Sequence, residues 1–208
     1  MRGPAHRLGA AGLAALLLTA GASACTGGSD DAAGPDVRAS VCTDGTYTWS
    51  GVRHLTRLTA LGEPVTFPAG TDSYETRLKP LDRTVHRVTV TGTPQGTTEA
   101  GVIRALGAQL KAEEPLAGPS ETEGPEETAF GRHTGDLEGA YYLWREIGFV
   151  DADFAYRCRG ADPVRGHVHT WERVGGGFLP CDTPPDGAAG RTAAERLCPA
   201  GSPAVKGV

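Results

Sequence analysis

Val150-Asp-Ala-Asp-Phe-Ala-Tyr-Arg-Cys158 places Ala152, Phe154, Tyr156 and Cys158 on one face and Asp151, Asp153 and Arg157 on the other. That period of two is the signature of a half-buried antiparallel strand. Upstream, Ala140 to Ile147 carries Tyr141, Tyr142, Leu143 and Trp144 and is also expected to be extended, with a bulge near Gly148. Downstream, the Asp162-Pro163 turn leads into a strand over Val164 to Val174. Gly175 to Gly177 then reads as a turn into Phe178 to Cys181. Nearer the N-terminus, Thr46 to Ser50, Leu55 to Leu61, Val65 to Phe67 and Val85 to Thr91 have strand composition. Two helices interrupt this β pattern. Val102, Ile103, Leu106 and Leu110 repeat at helical spacing over Glu99 to Glu113, where Pro115 ends the run, and Thr192 to Leu197 supplies one or two turns. The expectation is a mainly β (α+β), antiparallel, sandwich-like single domain over residues 41–208, with one packed helix and two disulfides.

The disulfides come from cysteine number and chain address. Ahead of the domain, Arg2 and Arg7 precede an apolar run from Leu8 to Leu18 and the small residues Gly21, Ala22, Ser23 and Ala24, followed by Cys25. A charged start, a short apolar stretch and small residues make an export signal over 1–24. The run is too short for a membrane span, which needs about 20 apolar residues. The small-small-Cys ending resembles the bacterial lipobox, which implies lipidation of Cys25 and a lipid anchor at the extracellular face of the cell membrane. Ala22 stands where Leu is usual, so secretion with cleavage after an Ala is the alternative. Thr26 to Ser40 has almost nothing to bury and reads, with Cys25, as a flexible tether over 25–40.

Four cysteines remain, Cys42, Cys158, Cys181 and Cys198, an even number suited to two bridges in an oxidising compartment. If the segments ending at Cys158 and Cys181 flank an intervening strand, they lie about 9.5 Å apart, too far for a disulfide. The favoured pairing is Cys42 with Cys158 and Cys181 with Cys198; Cys42 with Cys181 and Cys158 with Cys198 is the alternative.

Charge narrows the partners. The chain has 20 Lys and Arg against 25 Asp and Glu, and loss of residues 1–24 would leave 18 basic residues and a net charge of −7. Such a surface repels nucleic acid and anionic headgroups. The remaining partners are the membrane through the N-terminal lipid and a protein or cell-envelope component. Residues 113–128 hold six Glu and three Pro and are expected to form an acidic, mobile loop. Their spacing lacks the pattern of a calcium-binding loop.

Composition and motif order carry a resemblance. Asn is absent and Lys occurs only at Lys79, Lys111 and Lys206, while Arg, Ala, Gly and Pro are abundant, which suggests GC-rich codons. The opening Cys42-Thr-Asp-Gly-Thr-Tyr-Thr-Trp49, then Asp153-Phe-Ala-Tyr-Arg-Cys158, Thr170-Trp171 and Arg196-Leu-Cys-Pro199, taken with the lipobox, resembles uncharacterised secreted lipoproteins of high-GC Gram-positive bacteria. The resemblance spans most of the mature chain. It implies a cell-surface, disulfide-bonded domain and no particular activity.

No nucleophile elbow, His-Glu-x-x-His or Walker loop occurs, so no catalytic residue and no cofactor is indicated. The sharpest local feature is His167-x-His169, because residues i and i+2 of a strand share a face and two imidazoles there can grip one metal ion. Trp171 continues that face, and His54, His86, His133 or an acid would complete the set. The same residues, with Arg165 and Arg173, also describe a plain exposed strand face. Asp151 and Asp153 are expected to face solvent and pair with residues such as Arg157. Trp49, Trp144 and Trp171 read as core aromatics or as a sugar-stacking platform. The leading expectation is a non-enzymatic surface binding module, with metal binding through His167 and His169 as the alternative.

Overall fold

The fold is organised by one strand of unusual length. A computed structural model describes residues 41–206 and gives strands β1 (Thr46–Leu61), β2 (Val65–Pro80), β3 (His86–Arg87), β4 (Thr89–Thr91), β5 (Thr122–Glu123), β6 (Thr128–Arg157) and β7 (Val164–Pro180). Helices α1 (Glu99–Leu110), α2 (Ala188–Leu197) and α3 (Pro203–Lys206) complete it. The expected export signal over 1–24, the expected lipidation at Cys25 and the expected tether lie outside the described residues. No helix among the described residues is long and apolar enough to cross a membrane.

The main sheet is antiparallel with strand order β1-β2-β6-β7-β4, and β3 and β5 form a separate two-stranded ribbon. One edge of β6 is shared. Its first half pairs with β2 from Val65↔Tyr141 to Leu78↔Thr128, and its second half pairs with β1 from Leu61↔Trp144 to Thr46↔Arg157. The opposite edge pairs with β7 from Tyr141↔Pro180 to Tyr156↔Val164. The architecture is therefore mainly β and antiparallel, as expected, and the first half of β6 folds back so that Phe130 meets Phe178 at 5.1 Å between ring centroids. Among the described residues there are three helices where two were expected: α1 and α2 fall at the expected places, and the short α3 is additional.

Several breaks expected along the chain are runs of continuous strand. Thr46 to Ser50 and Leu55 to Leu61 join into β1 through a bulge between Ser50 and Arg53. Gly51 adopts φ +60° there, and a Cβ on it would lie 2.9 Å from the Asp153 carboxylate. Gly175 to Gly177 do not turn but run opposite Trp144, Arg145 and Glu146. A Cβ at Gly177 would sit 2.1 Å from the Trp144 ring, so this glycine admits the indole to the sheet surface. The strand β2 continues past Phe67 to Pro80 because β6 offers it a partner edge.

Packing divides into three clusters. Val150, Ala152, Phe154 and Tyr156 of β6 and Val168 of β7 are buried with Val102, Ile103 and Leu106 of α1. Thr98 caps α1 by accepting from the Gly101 amide at 3.0 Å, and Lys111 ends it in a left-handed conformation, φ 54°. The helix therefore stops before Glu113. Ala189, Ala193 and Ala194 of α2 are small enough to lie against Tyr142, Trp144 and Cys181. The third cluster holds Ala60, Leu78 and Leu143, with Phe130 and Phe178 against it.

Both favoured disulfides are present, Cys42–Cys158 and Cys181–Cys198. The separation of Cys158 from Cys181 has a different geometric origin from the one expected. They lie beyond opposite ends of β7, whose 17 residues span on the order of 50 Å at about 3.3 Å per residue. The Tyr156 hydroxyl reinforces the first bridge by accepting from the Gly45 amide at 2.8 Å and donating to the Cys42 carbonyl at 3.3 Å.

The acidic segment expected as a solvated loop over 113–128 is docked. Leu116 and Ala117 are buried. The Ala117 amide donates to the Trp171 carbonyl at 2.9 Å, and the Thr170 hydroxyl donates to the Ala117 carbonyl at 2.8 Å. Glu123 lies in β5 and pairs with Arg145, while Glu127 reaches Arg77 at 3.6 Å.

The glycine contacts give a paired test. Gly177→Ala must displace the Trp144 ring and is expected to destabilise by about 1–3 kcal/mol, the usual cost of overpacking. Gly175→Ala meets nothing within 4 Å and is expected to change stability by less than about 0.5 kcal/mol. Urea unfolding of both variants measures the contrast.

Candidate functional site

The register that buries Val150, Ala152 and Phe154 turns Asp151 and Asp153 to the opposite face, because successive side chains alternate. Across the sheet, Asp151 stands directly opposite His169 of β7 and Arg53 of β1, and Asp153 stands opposite His167 and Ser50. Residues directly opposite in an antiparallel pair share a face with side chains in reach. Two histidines and two aspartates therefore converge.

The contacts are short. His169 Nδ1 lies 2.8 Å from Asp151 Oδ1, and His167 Nδ1 lies 2.8 Å from Asp153 Oδ1. His167 also directs Nε2 toward Asp151 Oδ1 at 3.5 Å, so that one oxygen faces both imidazoles. The side chains of His167, His169 and Asp151 are 37 %, 33 % and 21 % exposed, which leaves the group half-buried yet accessible. Beside it on the same face, two residues before Asp151, Phe149 is buried. Its ring stacks on His169 at 5.2 Å between centroids and meets His86 at 4.9 Å and Trp171 edge-on at 6.3 Å.

Two groups in this neighbourhood titrate away from their ordinary values. Burial pushes the Asp151 carboxyl up, but its hydrogen bond with His169 and the positive charge of His169, His167 and Arg53 outweigh burial and hold it below 3.8. Burial, aided by Arg57 and His169 and opposed by Asp82 and Glu123, holds His86 below 6.5.

The expected residues divide clearly. His167 and His169 do share a face, and the acids joining them are Asp151 and Asp153, whose partners are these histidines and not Arg157. His86 approaches only through Phe149. His54 pairs with Glu172 at 3.6 Å, and His133 lies opposite Ser73 in the β2–β6 ribbon. The tryptophans make no common platform. Trp49 stacks on Tyr47, Trp144 stacks on Tyr142 beside α2, and Trp171 belongs to the α1 cluster. Among the described residues, no group of three or more His, Cys, Asp and Glu side chains stands already arranged to hold a metal ion.

Sequence reasoning treated the Asp-x-Asp and His-x-His patterns separately. Their shared spacing was a signal that one antiparallel register would pair both. It also missed the groove of about 520 Å³ beside Asp153, lined by Thr48, Ser50, Arg157 and Arg165. The larger groove, about 610 Å³, lies between α1 and the acidic segment and contains none of the clustered residues. In comparisons with known proteins, the chain matches no family model, no curated protein and no solved structure.

Asp151 carries a pH prediction. Because its folded value lies below the unfolded 3.8, its stabilisation is complete above that pH and is lost as pH falls through the folded value. Asp151→Asn is expected to cost about 1.5–3 kcal/mol at pH 7, as for a hydrogen bond to a charged group. The gap from wild type should close in acid, as read by urea midpoints from pH 7 down to about pH 2. His86 acts at higher pH: its depressed value makes stability fall as pH drops below 6.5, and His86→Gln is expected to flatten that limb.

Proposed function

We propose that the chain is an exported surface module, anchored by lipid on Cys25 at the extracellular face of the membrane, that binds a protein or cell-envelope component and does not catalyse a reaction. The observation that carries the binding surface is the convergence of Asp151, Asp153, His167 and His169 on one sheet face beside the groove bearing Arg157 and Arg165. Charged groups of both signs at close quarters favour recognition of a polar partner, setting orientation and specificity. The sequence of residues 1–24, followed by Cys25, supports the anchor. Val150, Ala152, Phe154 and Val168 on the alternate face are buried in the cluster with α1, while the side chains of Asp153 and His167 stay exposed.

Cross-linking of the native lipoprotein in intact cells, with an unrelated tethered domain as control, tests both parts. A reproducible neighbour is expected that disappears in the Arg157→Glu/Arg165→Glu double variant, while Cys25→Ala releases the chain from the membrane fraction. Capture equal to the control would overturn the binding surface. Retention of the Cys25→Ala chain on the membrane would overturn the anchor.

A further inference from the structure

We infer that the Asp151–His167–His169 cluster is a site for a divalent first-row transition ion of the zinc class, with His167 Nε2, His169 Nδ1 and an Asp151 oxygen as ligands and Asp153 as the group that orients His167. The inference deepens the binding reading of the same face. Imidazole nitrogen and carboxylate oxygen are the donors such ions take, at about 2.0–2.2 Å from the metal. Two donors at a tetrahedral angle about one centre then stand roughly 3.4 Å apart. His167 Nε2 and Asp151 Oδ1 are separated by 3.5 Å, already at that span. His169 Nδ1 and Asp151 Oδ1, at 2.8 Å, are closed into a hydrogen bond and must open by about half an ångström. That closure is why the donors face one another here and not a common centre. An ion takes the place of the shared proton, with the imidazole proton of His169 moving to Nε2, so the ring stays neutral and Nδ1 gains a free lone pair.

The surroundings fit this assignment. Metal-ligating histidines usually donate their second ring nitrogen to a carboxylate, which sets the tautomer and ring orientation. His167 Nδ1 lies 2.8 Å from Asp153 Oδ1, the contact that leaves its Nε2 turned toward Asp151. The Phe149 ring, stacked on His169, holds the second imidazole in plane. Two carboxylates lie at the cluster itself, with Arg53 opposite Asp151 on β1 and Arg157 and Arg165 farther along the groove that Asp153 lines. With three protein ligands, a fourth position remains for water or for a donor group from a partner.

Equilibrium dialysis of Zn²⁺ against the untagged full chain at pH 7.5 tests it. One equivalent of Zn²⁺ per chain is expected for wild type and for His133→Ala. Affinity should fall at least tenfold in His169→Gln and in the His167→Ala/His169→Ala pair, and about tenfold or more in Asp153→Asn, the range for losing a group that holds a ligating histidine in place. Circular dichroism and retention of both disulfides check that each variant is folded. A second readout is the visible spectrum of bound Co²⁺, expected for wild type and changed by Asp153→Asn if that residue orients a ligand. Failure of wild type to take up Zn²⁺, or equal uptake by the double histidine variant, overturns the site. The two readings fail separately: a neighbour cross-linked without zinc uptake sinks the metal site alone, and zinc uptake without a neighbour sinks the protein-binding surface alone.

Discussion

Each residue of a long strand carries an amide and a carbonyl that must find partners, and for Thr128–Arg157 this demand shapes the molecule. Thirty residues outrun any single neighbour in this chain. One edge of β6 is therefore covered in succession, by β2 over its first half and β1 over its second, while β7 covers the other edge from Tyr141 to Tyr156. Most long-range packing follows from that arrangement. Tyr142 and Trp144 receive α2, and Val150 to Tyr156 share a cluster with α1. The two disulfides then tie the ends. Cys158 just beyond β6 is bonded to Cys42 before β1, and Cys181, whose amide donates to the Ala140 carbonyl, is bonded to Cys198 at the end of α2. In the loop-entropy model, a bridge across 116 residues removes roughly 4–5 kcal/mol of unfolded-state freedom.

The polar face is the other side of the same constraint. A strand slipped by one residue exchanges its faces entirely, so the register that buries Val150 and Ala152 obliges Asp151 and Asp153 to lie together beside β7. Because β7 follows the same rule with Val168 and Thr170 buried, His167 and His169 meet the two carboxylates. Core packing thus positions the polar group, and the buried Phe149 ring, on the same face two residues before Asp151, stacks against His169. Tyr142 shows how firmly the neighbouring core is closed: burial pushes its hydroxyl up to about 12, while it donates to the Thr183 carbonyl.

Much of this was legible in the chain. The alternation of Val150 to Cys158, the helical stripe Val102, Ile103, Leu106 and the favoured cysteine pairing all stand in the fold. Other parts were hidden for definite reasons. Pro68, Gly70 and Asp72 make β2 beyond Phe67 read as loop, and only the edge offered by β6 keeps it extended. The triple glycine at 175–177 reads as a turn because nothing local reveals that the Trp144 ring needs the space. The Glu-rich segment looks solvated because its two anchors, Leu116 and Ala117, are few against six acids.

The sequence by itself determined the strand period, the faces of β6 and β7, the α1 stripe and the candidate histidines, because these depend on side chains a few residues apart. Only the tertiary structure decided that two aspartates answer two histidines, that β6 runs unbroken and that Gly177 lies under an indole. Backbone hydrogen bonds have the same chemistry at almost every residue, so which edges pair, and in what register, is set by burial summed over segments far apart in the chain.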